Sequence, residues 1–144
     1  MLHFESLGLA DAEKAIAGGI AAARALNKAM AFAVADHSGE MIATARMDGA
    51  HPRILRHSIR KAYTAAQMCR HTLHFKRDLE ERGGALDQWG DDRLTTLPGG
   101  LVVQSGGVFV GGVGVGGGGP DDEAVVRAMV KAMGFSVMED KRAR

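Results

Sequence analysis

The chain has 144 residues and a mass of 15.2 kDa, the size of one ordinary domain with one core. Lys+Arg is 18 and Asp+Glu is 17, so the net charge of +1 lacks the basic excess of a dedicated nucleic-acid binder, and no apolar run reaches the roughly 18 residues a membrane span needs. One cysteine excludes an intramolecular disulfide and a cysteine-built zinc cluster, and the first residues show no secretory n-region or h-region, so the expected location is the cytoplasm.

Leu9, Ala12, Ile16, Gly19, Ala23 and Leu26 recur at helical spacing and predict a helix over about 9–28. Its Gly18, Gly19 and alanines leave one face small enough to sit close to a sheet, at some cost in intrinsic helicity. Residues 30–36 and 41–47 read as two strands joined at Asp36-His37-Ser38-Gly39, a hairpin with Phe32 and Val34 on one face and Ala31, Ala33 and Ala35 on the other. Pro52 fits the first turn of a second helix, along which Ile54, Leu55, Ser58, Ile59, Ala62, Ala65, Ala66 and Cys69 trace an apolar stripe. That stripe makes Cys69 a core residue and not a nucleophile.

Thr72 is placed to cap a third helix running to about 82, closed by Gly83-Gly84. Residues 85–97 have no period and read as a loop, with Trp89 as a lid or an interface anchor. Residues 101–103 and 108–115 read as a second hairpin around Ser105-Gly106-Gly107. Strict alternation along its second strand groups Val108, Val110, Gly112 and Gly114 against Phe109, Gly111, Val113 and Val115. Pro120 and Asp121 introduce a last helix over about 122–133, stopped by Gly134, and 135–144 reads as a polar C-terminal tail. The order helix, hairpin, two helices, hairpin, helix describes a sheet covered by helices, an α+β domain over 1–134. With 20 glycines and 5% aromatics the core is thin, and a homo-oligomer is expected.

Gly112-Val113-Gly114-Val115-Gly116-Gly117 matches G-x-G-x-x-G, but a dinucleotide site needs a further parallel strand after the helix, and the sequence has no room for one. The glycines read either as exposed amides before a helix N-terminus, favouring an anion, or as packing devices that let a helix approach the sheet. Arg46, Asp48, Arg60 and Lys61 form a second constellation. Arg46 and Lys61 suit a carboxylate near a pocket, whereas Arg60 reads as part of a solvated helix face. Of the six histidines, His71 and His74 stand at i,i+3 and are weak candidates for haem iron; no third metal ligand accompanies them, and surface histidines are the blander reading.

Phe32-Ala33-Val34-Ala35-Asp36 with Gly39, Ala45-Arg46-Met47-Asp48-Gly49-Ala50, Lys61-Ala62-Tyr63-Thr64-Ala65, Leu97-Pro98-Gly99-Gly100, the glycine-rich 111–117 stretch and Asp121-Asp122-Glu123 follow in an order and spacing that resembles the GlcG/HbpS family. This is the haem-binding or haem-degrading domain also found at the C-terminus of PduO-type cobalamin adenosyltransferases. The resemblance spans about 7–134, and Arg46-Met47-Asp48-Gly49-Ala50 is its most specific block. It implies a profilin-like α/β/α sandwich with a five-stranded antiparallel sheet and a homo-oligomer built from dimers. One strand beyond the four read above is therefore expected, in 85–97 or from a split segment. Gly116 stands where the family carries serine, so one hydroxyl donor is lost.

The resemblance implies a small-molecule-binding protein for haem, a related tetrapyrrole or an organic acid, with haem as the candidate cofactor. Its anionic ligand would be held by Arg46, Lys61, Gly99, Gly100, Gly114, Gly116 and Gly117. The alternative is a cofactor-independent tautomerase, isomerase or hydrolase acting on a small hydroxy- or oxo-acid in a catabolic pathway. Its candidate catalytic residues are Arg46, Asp48 and His57, with backbone amides stabilising an oxyanion. Neither reading involves nucleic acid or a membrane.

Overall fold

A computed structural model of the protein describes residues 1–139. Its elements are α1 (Leu9–Ala25), β1 (Ala31–Ala35), β2 (Met41–Arg46), α2 (Pro52–Met68), α3 (Thr72–Arg82), β3 (Gly100–Ser105), β4 (Val108–Gly116), α4 (Asp122–Met133) and β5 (Ser136–Val137). The five strands form one antiparallel sheet in the order β2-β1-β4-β3-β5. Helices α1 and α4 cover one face and α2 with α3 the other, the α+β sandwich expected from the element order. No helix among the described residues is long and apolar enough to cross a membrane.

The fifth strand lies in neither place expected for it. Residues 86–89 of the supposed loop form a single 3₁₀ turn, and Trp89 packs edge-on against Phe75, with ring centroids 5.9 Å apart. The missing strand is Ser136–Val137, inside the stretch read as tail, where Val137 pairs with Val103 and Ser136 with Gln104. Two residues carry too little periodicity to be seen; the open edge of β3 makes them a strand. Residues 140–144 of the expected tail lie outside the described residues.

The two sheet faces are built differently. Toward α1 and α4 point Phe32, Val34, Val113 and Val115, meeting Val125, Val126, Met129 and Val130 in the main core. Where α2 crosses β1 and β4 the sheet shows mainly Ala33, Ala35 and glycines, with Met41 and Phe109 beside them, so the helix backbone lies close to the strands. A bulge in β4 alters the expected alternation, because Val103 faces Gly111 while Gln104 faces Phe109. The extra residue moves Val110 onto the face of Val113 and Val115, leaving Phe109 on the side of α2.

Local chemistry explains the helix ends. Pro52 opens α2, and His51 accepts the Arg53 N–H through Nδ1 at 3.2 Å. Cys69 closes α2 in a left-handed conformation (φ 50°) and is exposed, not core, because that turn swings its side chain off the buried stripe. Thr72 does not cap α3; its Oγ1 accepts the Gly100 N–H at 3.0 Å and ties α3 to β3.

Candidate functional site

The space expected beside the glycines is filled by α2. A Cβ placed on Gly114 would strike the Ser58 carbonyl and stand 2.7 Å from Ala62 N. On Gly112 it would meet Ala62 O at 2.7 Å, and on Gly100 Lys61 O at 2.5 Å. Gly116 abuts Ile54, and Gly117 abuts the Ala29 carbonyl. These glycines bring helix and sheet backbones together and leave no room for a flat guest.

Lys61 crosses this junction. The residue is 5% exposed, and Nζ donates to the Val115 carbonyl at 2.7 Å and lies 3.4 Å from Asp122 Oδ2. Burial pushes its pKa down, and the Asp122 carboxylate opposes that. Gly99 adopts φ +116°, and a Cβ there would stand 3.1 Å from Lys61 Nζ. An incoming anion would have to displace Asp122, which also accepts the Gly118 N–H at 2.8 Å.

Arg46 turns to its own loop, where Nη1 donates to the Ala50 carbonyl at 2.7 Å. Asp48 is exposed, and no hydrogen bond or ion pair joins Arg46, Asp48 and His57. His57 sits half-buried on α2; burial and the surrounding Lys61, Arg53, Arg56 and Arg60 push its pKa down. The geometry thus leaves Arg46 and Lys61 engaged with the protein's own oxygens.

The fold instead opens a groove of about 860 Å³ where α3, α4 and β5 meet, lined by His71, His74, Arg127, Lys131, Phe135 and Val137 among others. Pairing of β5 to β3 makes one wall, and the i,i+4 pair Arg127 and Lys131 lines the α4 side. The i,i+3 spacing on α3 brings the His71 and His74 rings within 5.2 Å.

The two histidines have different work. His71 is buried, and its Nδ1 accepts the Val102 N–H at 3.0 Å. Its proton therefore sits on Nε2, which lies 2.5 Å from the Met138 carbonyl and donates to it. Burial lowers its pKa most, the Met138 bond raises it, and the charges of His74, Glu123 and Arg127 add smaller effects. His71 is a structural clasp between α3, β3 and the chain after β5. His74 is half-buried with Nδ1 enclosed. Arg127 pairs with Glu123 at 2.8 Å, whereas Lys131 has no ion pair among the described residues.

Haem needs a wide slot with apolar walls, cations for its propionates and an axial donor. The Arg46, Lys61 and glycine set does not fit, since it has no slot and its ammonium is engaged. The α3–α4–β5 groove fits in volume and donor set. Arg127, Lys131, Phe135 and Val137 were not legible as a site, because only β5 pairing brings them to α3. The basic i,i+4 pair on the last helix was the one signal available.

Fold and groove together define an α+β domain with an opening of the size that small molecules occupy. Residues 7–131 match the family of HbpS-like haem-degrading proteins, and the chain belongs to that family. An uncharacterised 15.0 kDa protein of Citrobacter freundii, from the dhaT–dhaS intergenic region, is 34% identical over 116 residues, covering 78% of this chain and 81% of that one. A double mutant of HbpS from Streptomyces reticuli is 29% identical with a TM-score of 0.81, covering 91% of this chain and 89% of that chain. A crystal structure of PduOC with haem shares the fold at 23% identity and a TM-score of 0.81, over 93% of this chain and 99% of that chain.

Proposed function

We propose that this protein binds haem or a related tetrapyrrole in the groove between α3, α4 and β5. The observation that carries the reading is the meeting there of an imidazole and two cations with Val130, Phe135 and Val137 in about 860 Å³, with the Glu139 carboxylate also in the lining. His74 would ligate the iron, Lys131 and Arg127 would hold the propionates, and Phe135 and Val137 would meet the ring. Bound haem would supply the redox and oxygen chemistry of its iron. The chain's own part would be to hold the ring and to present the His74 imidazole to it. His71 positions the β5 wall through Met138 and does not ligate. Family membership and the related PduOC–haem complex support the reading. The exposed apolar side chains Leu2, Phe4 and Leu9 favour association into a homo-oligomer, and we place the protein in the cytoplasm.

Titration of the purified protein with hemin, followed at the Soret band, tests this. Saturation at one haem per chain is expected, with His74→Ala losing the axial-ligand spectrum and His57→Ala keeping it. Non-saturating adsorption, or an unchanged spectrum in His74→Ala, would overturn the assignment.

A further inference from the structure

A second opening lies between the β1–β2 hairpin, α2 and the segment before β3. It measures about 340 Å³ and is lined by Met41, Ile59 and Tyr63 with Arg56, Arg60 and Arg93, besides Gly39 and Glu40. Gly39 has no side chain, so the Tyr63 ring lies directly against the hairpin turn; a Cβ there would stand 3.2 Å from the ring. Apolar and aromatic groups form the floor, and guanidinium groups form the rim.

The three arginines are not equivalent. Arg93 stacks over the Tyr63 ring at 4.0 Å, donates to Tyr63 Oη at 2.8 Å and pairs with Glu40 at 3.2 Å. It also lies 3.6 Å from Asp91, so it is held in place with its charge shared between Glu40 and Asp91, which leaves Arg56 and Arg60 as the cations of the lining without an ion pair among the described residues. Tyr63 Oη in turn donates to Asp91. Arg60 donates to the Asp92 carbonyl, a neutral partner. Arg56 is exposed and makes no ion pair among the described residues. Helix α2 carries Arg53, Arg56, Arg60 and Lys61 and no acid. The lining thus holds excess positive charge over an apolar floor, and the lowered pKa of His57, set first by burial and then by these cations, agrees with that field.

We propose that this opening is a binding site for a small amphipathic carboxylate with a flat apolar body. The ring would rest on Met41, Ile59 and Tyr63, and the carboxylate would take a bidentate contact from Arg56 with Arg60 beside it. The volume is at the small end of ligand pockets, which selects a single-ring acid and excludes a tetrapyrrole. This site shares no lining residue with the His74 groove, so the two assignments stand or fall separately.

The test uses benzoate as the probe, with benzyl alcohol as its neutral analogue and inorganic phosphate as an anion without a ring. Backbone amide NMR shifts of the full chain are followed during titration. Saturable shifts at Gly39, Met41, Ile59 and Tyr63 are expected with benzoate and not with benzyl alcohol or phosphate. Arg56→Ala should weaken benzoate binding at least tenfold, and Arg56→Lys should recover only part of it, because an ammonium cannot make the bidentate contact. Arg56 is exposed, so both variants should fold as the parent does. His74→Ala should leave benzoate binding unchanged. Absence of saturable shifts with benzoate, equal shifts with benzyl alcohol, or an Arg56→Ala variant that binds as the parent does would overturn the proposal.

Discussion

The two faces of the sheet solve the same burial problem with opposite means. Against α1 and α4, large side chains interdigitate, and Phe32, Val113 and Met129 fill the gap. Against α2, side chains are nearly absent, and Gly100, Gly112 and Gly114 let backbone meet backbone. A side-chain layer can shift rotamers to absorb a change, whereas a backbone layer cannot move without moving a helix. The proposed ligand sites follow from this. Neither opens at the tight junction: one lies away from it between α3, α4 and β5, and the other at its margin between α2 and the β1–β2 hairpin.

The sharpest way to break the comparison is to add one methyl group to each face. Gly114→Ala drives a Cβ into the backbone of Ser58 and Ala62, and a loss of about 3 kcal/mol or more is expected in urea unfolding. Gly19→Ala on α1 meets only side chains, with Phe32 Cδ1 at 2.7 Å, and gains about 1 kcal/mol of helix propensity; its net loss should stay near 1 kcal/mol. Equal losses would show that the two layers yield alike.

Lys61 is a long side chain laid through the backbone layer. Lys61→Met keeps the length but removes the ammonium from the Val115 carbonyl and from Asp122, which keeps only the Gly118 N–H among the described residues. A loss of about 2 kcal/mol is expected, and a neutral or stabilising result would mean that the ammonium is not needed there.

The smallest effect is expected from His71, whose folded pKa is held below the usual 6.5. The neutral form is the one that accepts the Val102 N–H, so its contribution is full above about pH 6.5 and is lost as pH falls through the depressed folded value. His71→Gln retains a donor and an acceptor but does not titrate. Unfolding measured across that window should flatten in this variant, and an unchanged slope would assign the pH dependence elsewhere.

Much of the fold was legible in local pattern. The span 72–82 of α3 and the span 122–133 of α4 follow from start and stop signals, and left-handed Gly83 and Gly134 end them. Phe32 and Val34 share the main-core face as alternation predicts. The site was less legible. The glycine stripe of β4 was visible, but a residue without a side chain looks the same whether a ligand or a helix takes the space beside it. The geometry of Arg46 was also hidden, because its partner is a backbone carbonyl four residues on.

The family and the layered α+β order were therefore written in the sequence alone, since hydrophobic period, turn chemistry and a run of short motifs are local properties. Three things were decided only by the tertiary structure: the two-residue β5, the filling of the glycine face by α2, and the meeting of His74 with Arg127 and Lys131. Each depends on which distant backbone arrives beside a given residue, and that is set by the packing of the whole chain.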